Sequence, residues 1–138
     1  FYAEFAITTV GLEELLSRSD VVTLHVPLDD STRGMLTADR LALMKATAIL
    51  VNVARGGLVD EAALKRALVA GRPAAAAFDV FDDEPPQDRD LVNLPNFLAT
   101  PHIGGSAEES ILAMGRAAID GLDINDVPAV SGTLSGAG

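Results

Sequence analysis

The sequence holds two histidines, and both stand at or just after an apolar, β-branched run: His25 after Val21-Val-Thr-Leu24, and His102 after Phe97-Leu-Ala-Thr100-Pro101. Arg55 follows residues 49–53 in the same way, Asp79 follows residues 74–78, and Glu84 lies in the loop just beyond. A histidine paired with a carboxylate is a general acid/base whose tautomer the carboxylate fixes. An arginine fork grips a carboxylate through two parallel hydrogen bonds. Together these residue types suit proton transfer on a small carboxylic acid, with an acceptor for hydride or a carbanion still to be supplied. With no cysteine, and no serine in a nucleophile-elbow setting, covalent acyl transfer lacks a nucleophile.

Each residue also has a plainer reading. Arg55 could cap a helix or sit on the surface, and His102 could satisfy a backbone carbonyl. Glu84 could be one more solvated acid beside Asp82 and Asp83, Asp79 could cap the turn after it, and His25 is the weakest candidate. The acidic cluster lacks histidine at ligand spacing, so it is not read as a metal site. What favours a site is the shared position of these residues at the ends of strands.

Those strands must be placed by the elements around them. The organising stretch is Ala48-Ile-Leu-Val-Asn-Val-Ala-Arg-Gly-Gly-Leu-Val-Asp-Glu61. Its apolar run over residues 49–53 predicts a strand buried on both faces. Asp60 then caps a helix that Gly71 stops, with Leu64, Ala67 and Leu68 facing inward and a Glu61–Lys65 pair at i,i+4. A guanidinium at the mouth of a buried strand is costly unless something anionic meets it. Open α/β sheets bind ligands just outside the carboxyl ends of their strands, which is where Arg55 stands.

Along the rest of the chain, residues 1–5 read as the last turn of a helix and residues 7–10 as a weak strand. Leu12, Leu15 and Leu16 give helical spacing, with Glu13 and Glu14 near the N-terminal end of that helix. Strands are expected over residues 21–26, 49–53, 74–78 and 97–100, and a short helix over 37–45 with Leu41 and Met44 on one face. Ser106-Ala-Glu-Glu109 reads as a capping box, opening a helix with Ile111, Met114, Ala118 and Leu122 on a buried stripe. Strands recurring at near-regular intervals with helices between them predict a parallel sheet with right-handed crossovers. The fold class is α/β.

The 138 residues make about one domain, and an apolar fraction of 49% excludes global disorder. A net charge of −10 argues against a nucleic-acid partner. No run reaches the length of a membrane span, and Phe1-Tyr-Ala-Glu-Phe5 has neither the basic start nor the cleavage site of a signal peptide. The absence of cysteine fits a cytoplasmic protein. With no initiator methionine, the chain reads as a piece of something longer.

At Met44-Lys45 through Asn52-Val-Ala-Arg55-Gly56-Gly57-Leu-Val-Asp60-Glu61 the sequence resembles the D-2-hydroxyacid dehydrogenases. Three more motifs agree in order and spacing: Ser19-Asp20-Val-Val-Thr-Leu-His25-Val-Pro27, Phe78-Asp79-Val-Phe-Asp-Asp-Glu84-Pro85 and Thr100-Pro101-His102-Ile-Gly104-Gly105. The likeness runs from about Leu12 to Leu122, and the last motif is similar to the phosphoglycerate dehydrogenase branch. It implies a Rossmann-like doubly wound sheet, here incomplete, over residues 1–122, followed by a flexible extension over 123–138. It also implies hydride transfer between NAD and a small 2-hydroxy/2-oxo acid, with NADP left open, in a homo-oligomer.

The roles implied by the resemblance are specific. Arg55 would clamp the substrate carboxylate, His102 would give or take the hydroxyl proton, and Glu84 would orient His102. Asp79 would meet the nicotinamide carboxamide, while Val26, Pro27, Val53, Ala54, Arg55, His102, Ile103, Gly104 and Gly105 would line the cofactor crevice. The sequence departs from the family's pattern: no three of its twelve glycines make the G-x-G-x-x-G turn that holds a dinucleotide pyrophosphate, the acidic residue for the adenine ribose that follows that turn is missing with it, and the family's separate substrate domain is not in this stretch. Two other readings therefore stand beside the enzyme: a cofactor-sensing regulatory module of the same fold, and an inert remnant.

Overall fold

The computed structural model describes residues 4, 5 and 7–124, the side chains of 122–124 excepted. It divides into two compact units, residues 1–104 and 105–138. The expected extension beyond residue 124 lies outside the described residues, as does most of the turn expected over 1–5.

The first unit runs α1 (Leu12–Arg18), β1 (Val21–Leu24), α2 (Ala38–Leu43), β2 (Ile49–Asn52), α3 (Glu61–Val69), β3 (Ala75–Phe78), α4 (Arg89–Val92) and β4 (Phe97–Ala99). The four strands form one parallel sheet in the order β1-β2-β3-β4. In register, Val21 faces Ile49, Ile49 faces Ala75, and Ala76 faces Phe97. All carboxyl ends therefore lie along one edge, as the spacing of the apolar runs predicts.

Local signals set the helix ends. The Asp60 carboxylate caps α3 by accepting the Ala63 N–H at 2.8 Å. At the other end Gly71 adopts φ 77°, its N–H bonds to Leu68 O, and the Arg72 N–H bonds to Ala67 O. Those paired bonds form a Schellman stop, which a left-handed glycine makes strain-free. Thr37 caps α2, and Leu41 and Met44 are both fully buried as expected. Lys65 pairs with Asp88 at 2.5 Å rather than with Glu61. The Glu61 carboxylate is instead taken by the Asp82 N–H, a backbone donor that the i,i+4 rule cannot anticipate.

The core lies on one side of the sheet. Val22, Leu24, Leu50, Ala76, Phe78 and Phe97 are buried with Leu36, Leu41, Leu58, Leu64, Leu68 and Leu91. The alternate strand residues are not: Val21 is 58% and Ile49 40% exposed, and so is Val53 just past β2 at 47%. The expectation that this strand is buried on both faces is therefore corrected. Strand order rises without reversal, so crossovers of one hand put every connecting helix on the same face. Residues 7–10 form no strand. A short β-branched run becomes a strand only with a partner to pair against.

In the second unit, α5 spans Glu108–Ile124. Its first carbonyl acceptor is Ala107, which receives the Ile111 N–H, so the cap falls one residue after Ser106 and the expected capping box does not form. Ile111 and Met114 are 56% and 58% exposed, and Ala118 is exposed too. Helical period tells which residues share a face, not whether another element meets that face. The side chain of Leu122 lies outside the described residues.

Candidate active site

Parallel register brings the sequence-selected residues to one edge of the sheet, where each is held differently. β2 ends in Asn52, which is buried, and its side chain works as a double clamp. Its Nδ2 donates to Arg55 O at 2.9 Å and its Oδ1 accepts the Ala54 N–H at 3.2 Å. The turn carrying Arg55 is thus tied to the strand end. Arg55 itself is exposed, with Nη1 donating to Ala54 O at 2.6 Å, and it makes no ion pair among the described residues. The burial cost expected for this guanidinium does not arise, because the strand mouth opens to solvent. Its charge is available to an anion.

Arg55 lines a cavity of about 420 Å³ with His25, Val26, Pro27, Val53 and Ala54. His25 is exposed, and its Nε2 lies 3.0 Å from Thr23 Oγ1. Its walls, supplied by the ends of β1 and β2, join the apolar side chains of Val26, Pro27, Val53 and Ala54 to the polar groups of His25 and Arg55.

β3 and β4 carry the titratable pair. Asp79, directly after β3, is buried and takes three donors: the Thr100 hydroxyl, the Ile103 N–H at 2.9 Å and the Gly104 N–H at 2.8 Å. The Thr100 hydroxyl is the largest cause holding its carboxyl below the usual range, the two amides adding to it. A Cβ on Gly104 would stand 2.9 Å from Asp79 Oδ2, so this close approach needs glycine. Between these anchors His102 adopts φ 54°, a left-handed conformation rare outside glycine. Three hydrogen bonds to one buried carboxylate thus hold a strained turn with His102 at its tip.

The His102 Nδ1 lies 2.8 Å from Glu84 Oε2. Glu84 Oε1 accepts the Phe81 N–H at 3.1 Å. The His102 bond and then this amide hold the Glu84 carboxyl below its usual range. Phe81 is rooted by its ring, whose centroid lies 6.2 Å from those of Phe78 and Phe97. A carboxylate on Nδ1 leaves Nε2 as the atom that exchanges a proton with a ligand. The pair lines a cavity of about 180 Å³ with Phe81, Pro85, Pro86, Thr100 and Pro101. His102 is half exposed, with 50% of its side chain open to solvent.

The structure therefore joins Glu84 to His102, and Asp79 to Ile103 and Gly104. Arg55, Val26, Pro27, Val53 and Ala54 gather in the neighbouring cavity of the same sheet edge. Gly105 opens the second unit. Sequence reasoning passed over Asn52, Thr100 and Phe81. The available signal was a polar residue ending an apolar strand, for Asn52 and Thr100 alike.

Residues 2–104 match the family described as D-isomer specific 2-hydroxyacid dehydrogenase, NAD binding domain. The chain belongs to that family. Among curated relatives it is 52% identical over 104 residues to D-3-phosphoglycerate dehydrogenase of Methanocaldococcus jannaschii, covering 75% of this chain and 20% of that protein. It is 45% identical over 117 residues to glycerate dehydrogenase of Methylorubrum extorquens, covering 83% and 37%. A solved D-isomer specific 2-hydroxyacid dehydrogenase of Lactobacillus delbrueckii ssp. bulgaricus, in its NAD complexed form, superposes with a TM-score of 0.80 at 35% identity, covering 90% of this chain and 43% of that one. The chain thus spans between 20% and 43% of the length of these relatives. The parallel α/β sheet with its Rossmann-like order is the one this family shares.

Proposed function

We propose that this chain is the part of an NAD-dependent D-2-hydroxyacid dehydrogenase that carries the reacting side chains. The observation that carries the reading is the His102–Glu84 pair at 2.8 Å, on the sheet edge that also presents an exposed Arg55 with no ion pair among the described residues. When bound, the nicotinamide supplies or accepts the hydride at C2 of a small 2-oxo or 2-hydroxy acid. Arg55 grips the substrate carboxylate and polarises the 2-oxo group. His102 gives its Nε2 proton to the 2-oxo oxygen in reduction and takes it back in oxidation. Glu84 fixes the ring and stabilises the imidazolium.

The residues fit the nicotinamide half of the cofactor. The 420 Å³ cavity, lined by Val26, Pro27, Val53 and Ala54 together with the polar His25 and Arg55, is of the size a nicotinamide nucleoside needs. Asp79 keeps an acceptor direction beyond its three donors for the carboxamide, and the Ile103 and Gly104 amides hold it there. No residue here forms the glycine turn for the pyrophosphate. In the intact protein, a small 2-hydroxy acid of the glycerate or phosphoglycerate type fits the relatives' names, and NADP stays open beside NAD. The reading includes a cytoplasmic homo-oligomer. No described helix is long and apolar enough to cross a membrane.

Turnover by the intact protein tests this. NADH absorbance is expected to fall when small 2-oxo acids are added, and His102→Gln is expected to abolish that loss. A protein that binds NADH but turns over no 2-oxo acid is a cofactor-sensing module instead.

A further inference from the structure

We infer that Gly56 and Glu61 are positioning residues, which hold the Phe81–Asp82 peptide as a clasp and so fix Glu84 and His102 relative to the loop carrying Arg55. The inference rests on the proposed reading of Arg55, Glu84 and His102 as the reacting set.

Gly56 directly follows Arg55, and its φ is not among the positive ones, which belong to Gly34, Gly57 and Gly71. Conformation therefore does not require glycine here. Proximity does. A Cβ at this position would stand 1.8 Å from the Phe81 carbonyl oxygen, 2.1 Å from its carbon and 2.6 Å from the Asp82 nitrogen. All three are backbone atoms, so even one methyl group must push the whole peptide away.

The same peptide is held a second time. The Asp82 N–H donates to Glu61 Oε1 at 2.8 Å, and Glu61 is the first residue of α3. Burial is the main cause raising the Glu61 carboxyl above its usual range, and nearby Asp82, Asp83 and Asp88 add to it.

From this peptide the path to the reacting pair is short. The Phe81 N–H, one residue back, donates to Glu84 Oε1 at 3.1 Å, and Glu84 Oε2 meets His102 Nδ1 at 2.8 Å. The Phe81 ring is fixed between Phe78 and Phe97. Displacing the Phe81–Asp82 peptide must therefore turn the Phe81 amide away from Glu84. Gly56 and Glu61 lie in the segment between β2 and α3, whereas Glu84 and His102 follow β3 and β4. The clasp is what registers the two groups of side chains.

The test uses the intact enzyme with Gly56→Ala, Glu61→Ala and a control, Gly71→Ala. Gly71 has φ 77° and open space around it, so alanine there strains the backbone far from the clasp. Two quantities are read: kcat/KM for a 2-oxo acid with NADH, and the low-field proton resonance of His102 Nδ1–H, assigned by its loss in His102→Gln. Gly56→Ala is expected to lower kcat/KM about 100-fold, the scale of a misplacement near 1 Å, and to move that resonance upfield. Glu61→Ala is expected to act in the same direction to a smaller degree. Gly71→Ala is expected to lower the melting temperature while keeping both readouts.

Wild-type kcat/KM and resonance in Gly56→Ala overturn the clasp. Where Gly56→Ala does not fold, Glu61→Ala decides, and an unmoved resonance there overturns it equally. Should the wild-type protein reduce no 2-oxo acid, the proposed function fails, while the resonance still tests the clasp.

Discussion

At the scale of single residues, charge and hydrogen-bond geometry can be separated by substitution. Arg55→Lys keeps a positive charge on the turn but loses the planar fork. Hydrogen bonds to charged groups contribute roughly 1.5–3 kcal/mol, so kcat/KM of the intact enzyme is expected to fall about 10- to 100-fold. Steady-state kinetics with unchanged kcat/KM would take Arg55 out of the substrate site. Glu84→Gln tests the partner pair. The carboxylate meets His102 at 2.8 Å, so removing its charge takes away what favours the imidazolium. The pH–rate profile for 2-oxo acid reduction is expected to shift toward acid. An unmoved profile would make Glu84 a surface acid that happens to touch His102.

At the scale of elements, the strand ends are where backbone groups run out of partners. Asn52 serves two of them at the end of β2, through Arg55 O and the Ala54 N–H. Asn52→Ala leaves both unpaired beneath the site, at an expected cost of about 1–3 kcal/mol in urea unfolding. A change within error would show that solvent replaces the clamp without loss. β1 raises a different matter. It lies at the edge of the sheet order, and Val21-Val-Thr-Leu24 carries no lysine, proline or bulge. The chain of 138 residues is expected to associate through this edge, seen as mass growth in light scattering at micromolar concentration and fast amide exchange over residues 21–24. A monomer with those amides protected would show the edge to be covered.

At the scale of the molecule, the acid side of the stability curve is decided by a few carboxylates. Asp79, Glu84 and Asp88 all sit below their usual range, through Thr100, His102 and Lys65 first in each case. A depressed carboxyl contributes stability above its unfolded pKa and loses it as pH falls through the folded one. Glu61 works the other way, since its raised value favours the protonated form in the fold. With Asp29 also held low, through Ser31 first, four such ties against one mean that the melting temperature is expected to drop as pH falls below about 4, where free carboxylates protonate. Circular dichroism melts across that range check it, and a flat melting temperature would show these ties to be mechanically idle.

What the sequence determined by itself was the set of candidate site residues and their order along the chain. Apolar runs placed Arg55, Asp79 and His102 after strands, and parallel strands need no further information to put those ends on one edge. The caps at Asp60 and Gly71 were equally legible, because a capping bond joins residues only a few positions apart. Tertiary structure decided everything that depends on chain segments distant in sequence. The Gly56–Phe81 contact, the Asp82–Glu61 bond, and the hold of Asp79 on the Ile103 and Gly104 amides join residues brought together only by folding. The same holds for burial. Residues 49–53 read as a strand covered on both sides, yet which faces are covered depends on where other elements pack, and a period of two or 3.6 carries no record of that.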